Sequence, residues 1–194
     1  MKLKVCGITQ LEQLKELDEI GVDYAGIIFF ERSERYALNT LMSKDVQVLS
    51  LSLKKVGVFV NASEEQIKTQ IELYGLDLIQ LHGDETPATC RHLSQIVQVI
   101  KVFRINKGNE QNIDWMLQPY EEYCDYYLFD TNRKGAYGGT GEKFEWERLQ
   151  DNKINKQFFL SGGIGVDDAD KVNSFSHSFF IVLMLTVAWK QNLG

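Results

Sequence analysis

Residues 3–30 read LKVCGITQLEQLKELDEIGVDYAGIIFF. Leu3 to Ile8 is a short apolar run with β-branched residues, and it predicts a strand. Thr9 is a predicted helix cap, with Glu12 three residues on completing a capping-box pattern. Leu11, Leu14, Leu17 and Ile20 recur at helical spacing and predict a buried stripe. Tyr24 to Phe30 is apolar again and predicts a second strand. Strand, amphipathic helix and strand in so short a stretch make a β-α-β unit, whose strands run parallel.

The unit recurs along the chain. Thr40 to Leu51 predicts a helix, and Lys55 to Val60 a third strand. Ser63 caps the next helix, with Gln66 at the capping-box position. Asp77 to Leu81 predicts a fourth strand and Pro87 to Leu93 a helix. Val97 to Phe103 predicts a fifth strand, Asn112 to Tyr120 a weaker helix, and Tyr126 to Asp130 a sixth strand. A glycine-rich loop, NRKGAYGGTG, leads to a short helix near Phe144 to Leu149. Gln157 to Leu160 predicts a seventh strand, Asp167 to Val172 a helix, and Phe179 onward an eighth strand. The strands are apolar throughout, as expected when both faces are buried. No GxGxxG follows the first strand, which disfavours an open dinucleotide-binding sheet. Polar residues and glycines gather at the C-terminal ends of the strands, where parallel barrels carry their chemistry. The expected fold is therefore α/β, a (β/α)8 TIM barrel in a single domain over residues 1–194, with an atypical or incomplete eighth βα unit. The chain has 194 residues, against about 250 for a typical barrel of this kind, so its loops must be short.

Composition narrows the function. The net charge of −6 argues against a nucleic-acid surface but leaves room for a local anion pocket. Cys6, Cys90 and Cys124 are an odd number without CxxC spacing, which predicts neither a disulfide framework nor a zinc site and suits a reducing cytoplasm. The N-terminus lacks the pattern of a signal peptide. The run FFIVLMLTVAW at residues 179–189 is too short for a membrane-spanning helix, which needs about 20 residues. No membrane association is expected.

The strand ends offer the candidate site. Lys4 and Cys6 stand on the first strand, Arg35 follows the second, and Gln80 and His82 end the fourth. Asp130 ends the sixth strand, and Ser161, Gly162 and Gly163 end the seventh. A free thiol is ordinarily a small core group, with a pKa of about 8.5. At a strand end beside Gly7, and with a cation such as Lys4 to stabilise the thiolate, Cys6 is a candidate base. Asp130 is a candidate acid on the opposite side of the rim, since a dry pocket favours a protonated carboxyl. One acid and one base suffice for aldose–ketose proton transfer, with no cofactor or metal. Backbone N–H groups at Ser161 to Gly163, and at Gly138 and Gly139 in the glycine-rich loop, suit a phosphate. Arg35 suits a carboxylate, whereas Arg32 reads as a solvated charge. Cys90 and Cys124 read as structural residues on or before helices, and His92 and His177 as surface residues. The expected ligand is a small phosphorylated molecule, bound by a monomer or homodimer.

These residues carry a resemblance. KVCGIT at the start, FFERSERY after the second strand, IQLHG at the fourth, LFDT at the sixth, the GGTG loop and LSGGI at the seventh occur in one order. In this the chain resembles phosphoribosylanthranilate isomerase over residues 2–177. The resemblance implies an Amadori rearrangement in tryptophan biosynthesis. N-(5-phosphoribosyl)anthranilate becomes 1-(2-carboxyphenylamino)-1-deoxyribulose 5-phosphate. By motif, Asp130 would protonate the ring oxygen and open the ring to a Schiff base, and Cys6 would remove the C2 proton. Arg35 would face the anthranilate carboxylate, His82 would line the pocket, and Gly162 and Gly163 would hold the phosphate. Glu34 stands where the family usually has a proline.

The C-terminus departs from that resemblance. The family has an aspartate in the eighth strand, then serines, Val-Glu and Pro-Gly; this chain has IVLMLTVAWKQNLG. A single-nucleotide shift near codon 180 permits the reading Tyr-Cys-Ile-Asp-Val-Asn-Ser-Arg-Val-Glu-Thr-Glu-Pro-Gly instead, which restores the aspartate, a serine, Val-Glu and Pro-Gly. Weaker phosphate binding is expected of the chain as it stands. Competing readings are a ribulose-phosphate epimerase, an indole-glycerol-phosphate synthase, and a catalytically inactive barrel kept as a binding module. The epimerase lacks metal-binding residues here, and the synthase lacks its catalytic lysines and N-terminal extension.

Overall fold

Eight parallel strands close into a barrel in the computed structural model, which describes residues 1–105, 113–131, 149, 152–162, 164 and 168–186. They are β1 (Lys2–Cys6), β2 (Tyr24–Ile28), β3 (Lys54–Phe59), β4 (Leu78–Leu81), β5 (Gln98–Ile105), β6 (Tyr126–Thr131), β7 (Phe158–Leu160) and β8 (Phe180–Thr186). Each pairs with its sequence neighbours, and β8 returns to β1 with Lys2 opposite Val182 and Cys6 opposite Thr186. The apolar run after Phe179 thus supplies the closing strand. Residues 187–194, which carry the rest of the divergent tail, lie outside the described residues.

The described helices are α1 (Leu11–Glu19), α2 (Ser43–Gln47), α3 (Glu64–Tyr74), α4 (Pro87–Leu93), α5 (Ile113–Leu117) and α6 (Ala169–Ser174). None is long and apolar enough to cross a membrane. Two cores explain why the strands lack polar alternation. Successive strand residues point to opposite faces. On β5, Ile100 and Val102 enter the barrel interior with Tyr24, Leu128 and Phe159. Val99 and Phe103 pack outward with Leu14, Ile67 and Leu93 of the helices. Each fully buried aliphatic or aromatic side chain stabilises the fold by about 1.5–3 kcal/mol. Tyr24, Phe159 and Tyr126 meet edge-on, with centroids 5.4 and 5.7 Å apart, and fill the interior away from the rim.

Local signals explain most helix boundaries. Ser63 Oγ accepts the Gln66 amide at 3.2 Å and Gln66 Oε1 accepts the Ser63 amide at 2.9 Å, the reciprocal cap expected for α3. Helix α1 begins one residue later than expected. Gln13 rather than Glu12 turns back, its Oε1 accepting the amides of Thr9 at 2.9 Å and Gln10 at 3.1 Å. Ile20 ends the helix 75% exposed, so the buried stripe stops before it. The helix expected over Thr40 to Leu51 is instead a 3-10 turn at Ala37–Asn39 followed by the short α2. Extended backbone at Met42 divides them; Ala37, Leu41 and Val46 are buried in the core, and Leu49 and Leu51 pack partly against it. Pro119, without an N–H, sits where α5 passes into a 3-10 turn at Gln118–Tyr120. Helix α6 is displaced toward the C-terminus of its expected span. The helix expected near Phe144 lies outside the described residues except for Leu149, which is buried.

One buried cation was hidden in the third strand. Lys55 Nζ donates to Tyr74 O at 3.0 Å and Val46 O at 3.5 Å, at the C-terminal ends of α3 and α2. Free carbonyls there attract positive charge. Burial pulls the Lys55 pKa below its usual value, partly opposed by Asp77.

Candidate active site

Cys6 lies at the C-terminal end of β1, buried, with Gly26 of β2 as its register partner. A Cβ on Gly26 would stand 2.6 Å from Cys6 Sγ and 3.0 Å from Lys4 Nζ. The glycine therefore makes room for both functional side chains, and it places them over the same point. Lys4 is fully buried, and its Nζ lies 3.4 Å from Met184 Sδ on β8. A thioether is a weak acceptor for an ammonium. Arg35 reaches the same rim. Gly7 has φ +98°, and its missing Cβ leaves the space that Arg35 Cδ fills, 2.5 Å from the ideal Cβ position. The stem of Arg35 lies over the end of β1, and the loop is held by the Arg35 amide donating to Ser33 Oγ at 3.2 Å. Glu34 is exposed, so the absent proline leaves this arrangement intact. Arg32 is exposed, as expected.

A second group spans β4 and β6. Gln80 is fully buried, and its Nε2 lies 3.0 Å from His82 Nδ1. His82 Nε2 lies 3.3 Å from Asp130 Oδ2, with both side chains less than a tenth exposed. β1 and β6 are separated on one side by β7 and β8 alone, so Cys6 and Asp130 are three strands apart around the ring rather than diametrically opposed. At the end of β7, Ser161 and Gly162 are buried, the Ser161 amide donates to Phe129 O at 2.9 Å, and Gly162 has φ +100°. Gly163, Gly138 and Gly139 lie outside the described residues.

Sequence reasoning missed the frame beneath His82. Lys101 Nζ contacts Glu85 Oε2 at 3.0 Å in a buried ion pair and donates to Gly83 O at 2.8 Å and Leu81 O at 3.2 Å. Glu85 Oε1 accepts the amides of Asn61 at 2.8 Å and Gly83 at 3.1 Å. Burying both charges is tolerable because nearly every donor and acceptor is satisfied. The pair ties the β4–α4 loop to the end of β3. Arg104, at the end of β5, donates to His82 O at 2.6 Å and faces Asp84 Oδ1 at 3.3 Å. The one sequence signal was a lysine inside the apolar run VQVIKVF.

Cys90 and Cys124 are buried free cysteines joined through their thiols by a hydrogen bond. That bond lowers the Cys90 pKa and, with burial, raises that of Cys124. Cys90 lies on α4, whereas Cys124 precedes β6 rather than a helix. His92 is exposed and meets Glu64 at 3.0 Å. His177, expected at the surface, is instead half-buried with its ring 5.1 Å from that of Phe158. Among the described residues no group of three or more His, Cys, Asp and Glu is placed to hold a metal ion.

The arrangement puts a thiol, an ammonium and a guanidinium on one arc of the rim, and an imidazole–carboxyl pair on another. Comparison with known proteins places it. The family model of N-(5'-phosphoribosyl)anthranilate isomerase matches residues 3–179, ending one residue before β8. The isomerase of that name from Parabacteroides distasonis is 37% identical over 182 residues, which is 93% of this chain and 80% of the relative. A solved structure of monomers generated from the dimeric Thermotoga maritima isomerase superposes with a TM-score of 0.77. It is 28% identical and covered over 96% of this chain and 87% of the other. Another isomerase, solved in complex with reduced 1-(o-carboxyphenylamino)-1-deoxyribulose 5-phosphate, superposes with a TM-score of 0.75 at 27% identity, with the same coverage. These relatives displace the epimerase and synthase readings, and the chain belongs to the N-(5'-phosphoribosyl)anthranilate isomerase family.

Proposed function

We propose that this chain catalyses the Amadori rearrangement of N-(5-phosphoribosyl)anthranilate to 1-(2-carboxyphenylamino)-1-deoxyribulose 5-phosphate in tryptophan biosynthesis. The observation that carries this is the placement of Cys6 and Asp130 on one rim, both buried, with Cys6 Sγ and Lys4 Nζ lying over Gly26 and His82 Nε2 3.3 Å from Asp130 Oδ2. Asp130 delivers a proton to the ribose ring oxygen, and the C1–O bond opens to a Schiff base. Cys6 then takes the C2 proton, giving an enolamine that tautomerises to the ketone. A buried acid and base each act with little competition from water.

The remaining roles follow from position. Arg35, laid over Gly7, binds the anthranilate carboxylate, and its planar fork suits that group. Lys4 offers positive charge beside Cys6. Gln80 and His82 line the pocket on the Asp130 side. Ser161, Gly162 and Gly163, with Gly138 and Gly139, bind the phosphate through backbone N–H groups. The reading requires no cofactor or metal. It places a single-domain protein in the cytoplasm, as a monomer or homodimer, acting on a small phosphorylated molecule, with no nucleic-acid or membrane partner.

The test is loss of anthranilate-type substrate fluorescence with the purified chain. The expected result is turnover that Cys6→Ala and Asp130→Asn each reduce by about a hundredfold or more, the usual contribution of a general acid or base. A folded chain without turnover even with the eighth-strand reading restored would support the inactive binding module instead.

A further inference from the structure

We propose that Gln80 is a positioning residue: it fixes the tautomer of His82 so that the Nε2–H group faces Asp130. The inference rests on Asp130 acting as the acid. Four distances and the burial carry it. Gln80 is fully buried on β4 and cannot exchange its partners for water. Its amide Nε2 lies 3.0 Å from His82 Nδ1. An amide nitrogen only donates, so Nδ1 must accept, and a neutral imidazole that accepts at Nδ1 carries its proton on Nε2. That nitrogen lies 3.3 Å from Asp130 Oδ2, within ion-pair reach but without hydrogen-bond alignment in this state. The backbone holds the ring in place from both sides, the His82 amide donating to Phe59 O at 2.8 Å and Arg104 donating to His82 O at 2.6 Å.

The consequence is differential stabilisation. In the proposed mechanism the proton that Asp130 delivers is on the oxygen turned to substrate, and the imidazole N–H meets a weakly charged Oδ2. As the proton passes to the ribose ring oxygen, negative charge spreads over both carboxyl oxygens. The Nε2–H contact then tightens and becomes charge-assisted. An interaction that is stronger in the transition state than in the ground state raises kcat rather than lowering KM. The opposite tautomer would present a lone pair to the developing carboxylate and oppose the same step. In this role Gln80 contacts no reacting atom and acts through His82.

The experiment combines two readouts on wild type and Gln80→Leu. The first is the 15N spectrum of the His82 ring in the full chain, which identifies the protonated nitrogen without any need for turnover. The expected result is protonation at Nε2 in the wild type and a mixture of tautomers in Gln80→Leu. The second is steady-state kinetics. The expected change is a fall in kcat of about ten- to a hundredfold, the scale of one charge-assisted hydrogen bond, at nearly unchanged KM. Protonation at Nδ1 in the wild type overturns the proposal, and so does a Gln80→Leu chain whose loss lies in KM alone. If Gln80→Leu does not fold, the wild-type spectrum decides. A wild type protonated at Nε2 but devoid of isomerase activity refutes the proposed function and leaves the tautomer assignment standing.

Discussion

Met184→Asp should stabilise this protein. Lys4 and Met184 are register partners on β1 and β8, and Lys4 Nζ meets Met184 Sδ at 3.4 Å inside the barrel. The Lys4 side chain is fully buried, and among the described residues this thioether is its one hydrogen-bond partner. Counting from Cα, an aspartate oxygen sits at the same bond position as a methionine sulfur, so the carboxylate reaches Nζ without moving the strand. A charge-assisted hydrogen bond to a buried ammonium contributes about 1.5–3 kcal/mol, and for a chain of this size each kcal/mol moves the melting temperature by about 2–4 °C. The expected rise is about 3–12 °C in a thermal melt. Met184→Leu, which removes the acceptor, should melt below wild type, and Met184→Asn should fall between the two. The fourth residue of the shifted reading of the tail is an aspartate, at position 184. A Met184→Asp chain that melts at or below Met184→Leu would refute both the need for a counter-ion and this support for the shifted frame.

Three further substitutions probe the frame of the site. Lys55→Met leaves the Tyr74 and Val46 carbonyls without their donor; it should cost about 1–3 kcal/mol in urea unfolding, and an unchanged midpoint would count against the helix-end contact. Gly26→Ala drives a methyl to within 2.6 Å of Cys6 Sγ; activity should fall at least as far as thermal stability, and an active, fully stable variant would mean the two side chains have freedom that the packing denies. His177 accepts the Phe179 amide on Nδ1 at 3.2 Å, and burial holds its pKa below the ordinary 6.5. Its contribution to stability is therefore present above pH 6.5 and is lost as pH falls through the lowered folded value. His177→Phe should flatten the melting temperature between pH 7.5 and about 5 relative to wild type, and an identical pH dependence in the two chains would remove His177 from the explanation.

The strands were readable because burial on both faces leaves a continuous apolar run, as in Val97 to Phe103, and their spacing predicted the barrel. Polar residues at the strand ends were readable for the same reason, since Asp130 stands out after YYLF. The sequence carried less about partners. The pattern of IQLHG puts Gln80 and His82 on one face of the strand, but it does not say that the amide nitrogen turns to the ring nitrogen. The Glu85–Lys101 pair joins residues sixteen apart, from the β4–α4 loop to β5, and a lysine inside an apolar run does not name its partner. Ile20 was misread because the apolar stripe of α1 outlasts its packing against the sheet. Met184 was read only as part of an apolar run, since its importance comes from facing Lys4 across the closure of the ring.

The most direct test of the central claim follows the proton itself. Substrate carrying deuterium at ribose C2, turned over by the purified chain and by Cys6→Ala and analysed by mass spectrometry, reports whether removal of that hydrogen depends on Cys6. The account predicts that wild type loses the label from C2 as product forms, and that Cys6→Ala retains both label and substrate. Product formed at the wild-type rate by Cys6→Ala, with the label gone, would contradict it.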